Sequence, residues 1–301
     1  MPRKVLIQLD CDPQPSTFDA IVAVDAGADV ILRHGGVTVD TVAPLVHGGM
    51  FTRGGADLAS TAVFVGGSDV VAADAVAARV RATFFGPVRL GVLVDPSGAN
   101  TTASAAVVAA GRHVTLAPGE ATACRAVVLG GTGPVGQRVA RLLARKGVHV
   151  TVASRSRSRA EAIVGRIVAE AEVPASRCEA VEHHGTILPG SAFARLIAQA
   201  DIIIAAGAAG ATLLDAAGRA VATSARVLID LNAVPPAGIE GIVAGDKARV
   251  DGTAVVYGPL GVGGTKLKIH KAAIARIFTA NDAFLDAEEL LAIGEHLEAA
   301  T

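Results

Sequence analysis

The strongest constraint on this chain is one strand-to-helix junction. The β-branched run Val127-Val128-Leu129 stops at glycines spaced G-x-G-x-x-G (Gly131, Gly133, Gly136), and a helical pattern, Gln137 to Lys146, follows at once. In a chain with 34 glycines the spacing alone means little. Between a buried strand and a helix it reads as a dinucleotide-binding turn. There Gly131 permits the tight turn and Gly133 lets backbone approach a pyrophosphate. Gly136 lets the helix pack close to the strand, with the phosphate on the helix N-terminus. Thr132, Pro134 and Val135 complete the candidate phosphate-binding loop.

The second strand of such a unit, Val148 to Ala153, should end beside the adenosine ribose, where NAD-preferring sites often carry an Asp or Glu. Here the tip reads Ser154-Arg155-Ser156-Arg157-Ser158-Arg159, and the first carboxylate is Glu161. Hydroxyls and guanidinium forks suit a 2′-phosphate. The expected cofactor is therefore NADP, with NAD as a lesser substitute. Ser154 and Arg155 are the leading contacts, and Arg157 or Arg159 assists. A solvated basic start to a helix is the structural alternative. Ala206 and Asn232, at later strand ends, join the cofactor candidates.

Hydrophobic residues make up 51% of the 301 residues, charged residues 18% and aromatics 3%. Cores must then be built from Val, Ile, Leu and Ala, which suits parallel sheets covered on both faces. A net charge of −1 argues against nucleic acid and anionic membrane as partners. Met1 to Asp12 does not read as a signal peptide, and no apolar run approaches the ~18 residues of a membrane span. Three cysteines without metal-ligand spacing and eight scattered histidines, the pair His183-His184 among them, give no metal site. A cytoplasmic protein is expected.

Strand-like and helix-like runs alternate throughout, which predicts an α/β fold. Strands are expected at 4–9, 30–32, 61–65 and 88–94, with helices at 17–26, 38–46, 70–84 and 101–110. Five further strands, at 126–129, 148–152, 202–205, 227–231 and 254–257, predict a Rossmann domain after a polar stretch, Gly111 to Ala123, that contains Pro118-Gly119. Helices follow at 266–278 and 286–298. The expectation is two domains, 1–110 and 111–279, with 280–301 packing on the first and a ligand cleft between them.

Four loops carry polar chemistry. Gln8 to Asp19 sets carboxylates (Asp10, Asp12, Asp19) behind an apolar strand, and Ser16 is a plausible helix cap. Asp95 to Thr102 offers Asn100 and Thr102, as substrate contacts or as a capped helix start. Asp230 to Ile239 leaves a buried strand through Asn232 and two prolines. Gly258 to His270 is a glycine-rich turn, whose amides at Gly261 approach a flat ring, leading into a helix expected to begin near Thr265. A lysine at that helix start, Lys266, opposes the helix dipole and so suggests function.

These segments resemble the NADP-dependent methylene-tetrahydromethanopterin dehydrogenases of methylotrophic bacteria, including relatives that accept methylene-tetrahydrofolate. The likeness runs through Gln8-Leu9-Asp10, Pro15-Ser16-Thr17-Phe18-Asp19, Thr52-Arg53-Gly54-Gly55, Phe64-Val65-Gly66-Gly67, Phe84-Phe85-Gly86-Pro87, Asp95 with Asn100-Thr101-Thr102, the glycine turn, Asn232 to Ile239, Gly261-Val262-Gly263-Gly264 and Lys266 to His270. It implies an N-terminal pterin-binding domain, a C-terminal Rossmann NADP-binding domain, and a small homo-oligomer, a trimer or hexamer. The pterin, a one-carbon carrier, passes a hydride to NADP. Lys266 and Asp19 are the implied catalytic residues, with Asp10, Ser16, Phe18, Asn100, Thr102 and His270 around the pterin. Since no proton need move with the hydride, Lys266 is cast as an orienter and Asp19 as a stabiliser of developing positive charge. A shikimate-dehydrogenase-like or cyclohydrolase activity would need an N-terminal-domain lysine, and none lies between Lys4 and Lys146. A non-catalytic NADP sensor is the remaining alternative.

Overall fold

The computed structural model describes residues 2–116, 124–185, 187 and 190–300. The polar stretch with Pro118-Gly119 thus falls mostly outside the described residues. Two compact units emerge, one of residues 1–101 and 267–301 and one of residues 102–266. In chain order the first unit contributes β1 (Val5–Asp10), α1 (Thr17–Asp25), β2 (Val30–His34), α2 (Val42–Met50), β3 (Thr61–Gly66), α3 (Val70–Ala82) and β4 (Gly91–Val94). Helix α4 (Ala99–Gly111) carries the chain onward. The second unit contributes β5 (Arg125–Leu129), α5 (Pro134–Arg145), β6 (His149–Ser154), α6 (Arg157–Ala171), β7 (Cys178–Glu182), α7 (Ala192–Gln199), β8 (Ile202–Ala205), α8 (Ala216–Val221), β9 (Val227–Asp230), β10 (Arg249–Asp251) and β11 (Ala254–Tyr257). Helix α9 (Pro259–Arg276) leads back to β12 (Phe284–Leu285) and α10 (Ala287–Ala299).

Both units are α/β. The first sheet is parallel throughout, in the order β12-β4-β3-β1-β2. The second runs β10-β11-β9-β8-β5-β6-β7, parallel except for β10 against β11. Strands β3, β4, β8 and β9 are buried at every residue, as expected of sheets covered on both faces. Short side chains close the helices' ends. Ser16 Oγ accepts from the Asp19 amide, Asp69 Oδ1 from those of Val71 and Ala72, and Asp286 with Glu289 forms a capping box.

Three sequence expectations need correction. The second sheet has seven strands rather than five, and the first gains β12. β7 (Cys-Glu-Ala-Val-Glu) is half-exposed at an edge and β12 is two residues long, so neither carries a strong apolar signal. The second helix lies at 42–50, not 38–46, because Thr38 and Thr41 form a hydrogen-bonded turn ahead of it. Most consequentially, α9 begins at Pro259, not near Thr265. Neighbouring backbone crowds Gly258, just ahead of the helix, and Gly261 in its first turn, whereas Gly263 and Gly264 have open space around them. A Cβ on Gly258 would stand 2.1 Å from the Val243 carbonyl oxygen, and one on Gly261 1.9 Å from that of Asp246. Lys266 therefore lies two turns inside the helix, and the dipole argument for it lapses.

Asn100 shows what fastens the first unit. Its side-chain amide donates to the Val94 carbonyl and to Asp286 Oδ1, both at 2.7 Å, tying the end of β4 to the cap of α10. Asp95 in turn accepts from the Asn100 and Thr101 amides and from the Thr101 hydroxyl. Asn100 is fully buried. Asn100→Ala would remove the buried donor shared by the Val94 carbonyl and Asp286 Oδ1, at a cost of about 2 to 3 kcal/mol. The expected result is a lower urea midpoint for the first unit's transition with the second unit's unchanged.

Candidate active site

The second sheet reverses strand order at β5, whose neighbours are β6 and β8. Open α/β sheets bind ligands at such a switch point, outside the carboxyl ends of the strands. The chain there is shaped by close approach. Gly130, at φ +69°, would put a Cβ 2.4 Å from the Gly207 Cα, so this residue makes the tight turn that the spacing assigned to Gly131. Gly131 is instead pressed against Val152, and Gly136 against Gly130 and Gly131. Pro134 opens α5, and Val135 follows in its first turn, where helix amides face outward for an anion.

A pocket of about 520 Å³ occupies this switch point. Thr132, Gly133, Pro134 and Ala206 line one part and Ser154, Arg155 and Arg159 another. Thr132 Oγ1 lies 3.1 Å from Ser154 Oγ, joining the glycine turn to the tip of β6. Arg157 is held by Glu161 at 2.8 Å on the outer surface of α6, and Arg159 takes the pocket-facing place. The dimensions, glycine walls and paired guanidinium groups fit a phosphorylated dinucleotide.

His183, His184 and Gly185 also line this pocket, a placement hidden in the sequence because β7 carries too little apolar pattern to mark it as a strand. His183 is buried, its ring 4.3 Å from that of Phe193 and its Nε2 2.9 Å from the Leu213 carbonyl oxygen. His184 Nε2 stands 2.8 Å from Glu182 Oε1. Asn232 has a local role. Its side chain donates to the Pro236 carbonyl and accepts from the Val234 amide, while Asp230 accepts from the amides of Asn232 and Ile239. Burial pushes the Asp230 carboxyl above its ordinary value despite those bonds. Gly261 serves the packing of α9 against the Asp246 backbone.

The first sheet has its own switch point, at β1 between β2 and β3. The loop after β1 is tightly bonded. Asp10 Oδ1 accepts from the Asp12 amide and Oδ2 from the Ser16 amide, and Asp12 accepts from the amide and hydroxyl of Ser68. Gln8 donates to the Ser16 carbonyl and accepts from Arg33 Nε. Asp10 is thus a buried framework residue and Ser16 a helix cap. Beyond them Phe18 is 55% exposed, and Asp19 stands in the first turn of α1. His270 lies wholly buried, 5.8 Å from the Phe64 ring and 6.3 Å from that of Phe18, with Nε2 4.0 Å from Asp19 Oδ1. Thr102 is half-buried in α4, and Lys266 is half-buried one turn before His270 on the same face of α9. No cluster of His, Cys, Asp or Glu suited to a metal occurs among the described residues, and no described helix is long and apolar enough to cross a membrane.

Comparison with known proteins follows the same division. Residues 17–97 match the family model "Methylene-tetrahydromethanopterin dehydrogenase, N-terminal", and residues 115–245 match "Shikimate / quinate 5-dehydrogenase". The bifunctional protein MdtA of Methylorubrum extorquens is 39% identical over 99% of this chain and 100% of its own length. The NAD(P)-dependent methylenetetrahydromethanopterin dehydrogenase of the same organism is 30% identical over 94% of each. Among solved structures, quinate dehydrogenase from Corynebacterium glutamicum in complex with NAD covers 98% of this chain and 99% of its own, with a TM-score of 0.51 at 15% identity, a likeness of fold.

Burial pushes the pKa of His183 below its ordinary 6.5, against the opposing pull of the Leu213 carbonyl. The unfolded chain then takes up the proton first as pH falls. Stability of the second unit should hold above about pH 6.5 and decline through the window beneath it, down to the folded-state value. Denaturant titrations at about pH 8 and about pH 5 should show that decline, reduced in His183→Phe, which keeps the ring contact with Phe193.

Proposed function

The chain belongs to the methylenetetrahydromethanopterin dehydrogenase family, and we propose that it oxidises methylene-tetrahydromethanopterin to the methenyl form with NADP as hydride acceptor. The observation that carries the cofactor half is the switch-point pocket, with its glycine turn and the guanidinium groups of Arg155 and Arg159. The substrate half rests on the first unit, where residues 17–97 match the family's N-terminal model and the loop after β1 is held rigid.

Bound at the switch point, the nicotinamide supplies the hydride acceptor. The chain's residues then have three tasks. Thr132, Gly133, Val135 and the first turn of α5 receive the pyrophosphate. Ser154, Arg155 and Arg159 receive the 2′-phosphate, and no carboxylate on the β6 tip selects the bare ribose. Phe18 offers a flat exposed ring to a pterin, Lys266 orients it, and Asp19 faces the positive charge that grows as the methylene carbon loses hydride. A lysine cation would oppose that charge, so it is given the orienting task. Cytoplasmic location and a homo-oligomeric assembly belong to the same proposal, on the family resemblance.

Absorbance of NADPH, followed with methylene-tetrahydromethanopterin and separately with methylene-tetrahydrofolate, tests it. Turnover with the methanopterin form is expected. Lys266→Ala should abolish turnover and keep NADP binding. Arg155→Glu should raise the Kd for NADP by about 10- to 100-fold, or about 1.4 to 2.7 kcal/mol, and that for NAD much less. Tight NADP binding without turnover of either pterin would replace the dehydrogenase by a sensor.

A further inference from the structure

His270 presents a puzzle of burial. It lies on α9 with no exposed surface, stacked on Phe64 at 5.8 Å with an interplanar angle of 20° and tilted against Phe18 at 6.3 Å. Such a ring presents no open face to a ligand. The ring's polar neighbour is a carboxylate, with Nε2 standing 4.0 Å from Asp19 Oδ1.

Asp19 needs such a neighbour. Its side chain is only 15% exposed, and desolvating a carboxylate is costly unless nearby groups offset the loss. The first turn of α1 offsets part of it, since the helix N-terminus favours an anion, and the Ser16 cap holds the Asp19 amide at 3.2 Å. An imidazole ring edge is the second group. It packs against the Phe64 and Phe18 rings and presents Nε2 to the carboxylate at 4.0 Å. These residues all belong to the first unit.

We propose that His270 is a positioning residue, which keeps the Asp19 carboxylate aimed at the site of developing positive charge without touching substrate. This deepens the dehydrogenase proposal and rests on it for the catalytic consequence. Structurally it stands alone, because the Asp19–His270 pair exists whatever the substrate. Positioning acts in the transition state, where a carboxylate displaced by a fraction of an ångström stabilises charge less well, so its loss should appear in kcat rather than in KM.

Three variants test it. His270→Phe keeps a flat ring for Phe64 and Phe18 and removes both nitrogens. His270→Gln keeps an amide donor near the position of Nε2. Asp19→Asn removes the carboxylate charge. The expectation is a fall of about tenfold or more in kcat for His270→Phe, with KM for pterin and Kd for NADP nearly unchanged, and partial recovery in His270→Gln. The double variant Asp19→Asn/His270→Phe should be no slower than Asp19→Asn alone. Wild-type kcat in His270→Phe, or additive losses in the double variant, would overturn the proposal and leave His270 a core residue. The second readout needs no turnover. The 15N resonances of the His270 ring, recorded in the full-length wild-type protein and in Asp19→Asn, should differ. Identical ring spectra would break the pair. If wild-type protein turned over neither pterin while Asp19→Asn still shifted the ring resonances, the pairing would stand and the dehydrogenase proposal would fail.

Discussion

The meeting of Gly130 with Gly207, where the ends of β5 and β8 run so close that no side chain fits between them, is the contact on which the second unit's chemistry depends. A methyl group there would force the glycine turn away from the loop after β8, and the pocket walls that these two segments supply would separate. The same approach sets the direction in which α5 leaves β5, so the helix amides converge on one place. Side-chain volume is excluded at that point so that backbone charge can be concentrated there.

The two sheets solve one topological problem with opposite electrostatics. Each reverses strand order beside its first strand, where open α/β sheets place a crevice outside the carboxyl ends of the strands. In the second unit that crevice is faced by amides and guanidinium groups, the arrangement for a polyanion. In the first it is faced by carboxylates, Asp10 and Asp12 spent on holding the loop and Asp19 kept in the first turn of α1. A reaction that creates a cation on one ligand while the other stays polyanionic fits that separation of charge.

Most of this was legible in the residues because it is local. The glycine spacing, the basic tip of β6 and the buried strands carry their signal within a few positions. What stayed hidden depends on neighbours distant in sequence. Gly258 and Gly261 look like parts of a turn until the Val243 and Asp246 carbonyls are seen pressed against them. Arg157 and Arg159 are equivalent as letters, and two positions apart in α6 they face opposite ways, the first to Glu161 and the second to the pocket. Asn100 reads as a loop amide facing a ligand, yet its partner is a cap residue 186 positions away. His183 was visible as half of a histidine pair, but its place at the pocket follows from an edge strand with too little apolar pattern to announce itself.

The tie between Asn100 and Asp286 has a consequence for the order in which the molecule assembles. The first unit is discontinuous. Its sheet is finished by β12 and its helical cover by α10, both from residues 267–301. Synthesis runs from the amino end, so residues 102–266 are complete while the first unit still lacks an edge strand, a helix and the acceptor for its buried amide. The discontinuous unit is therefore the last to close, after the nucleotide-binding fold is already complete.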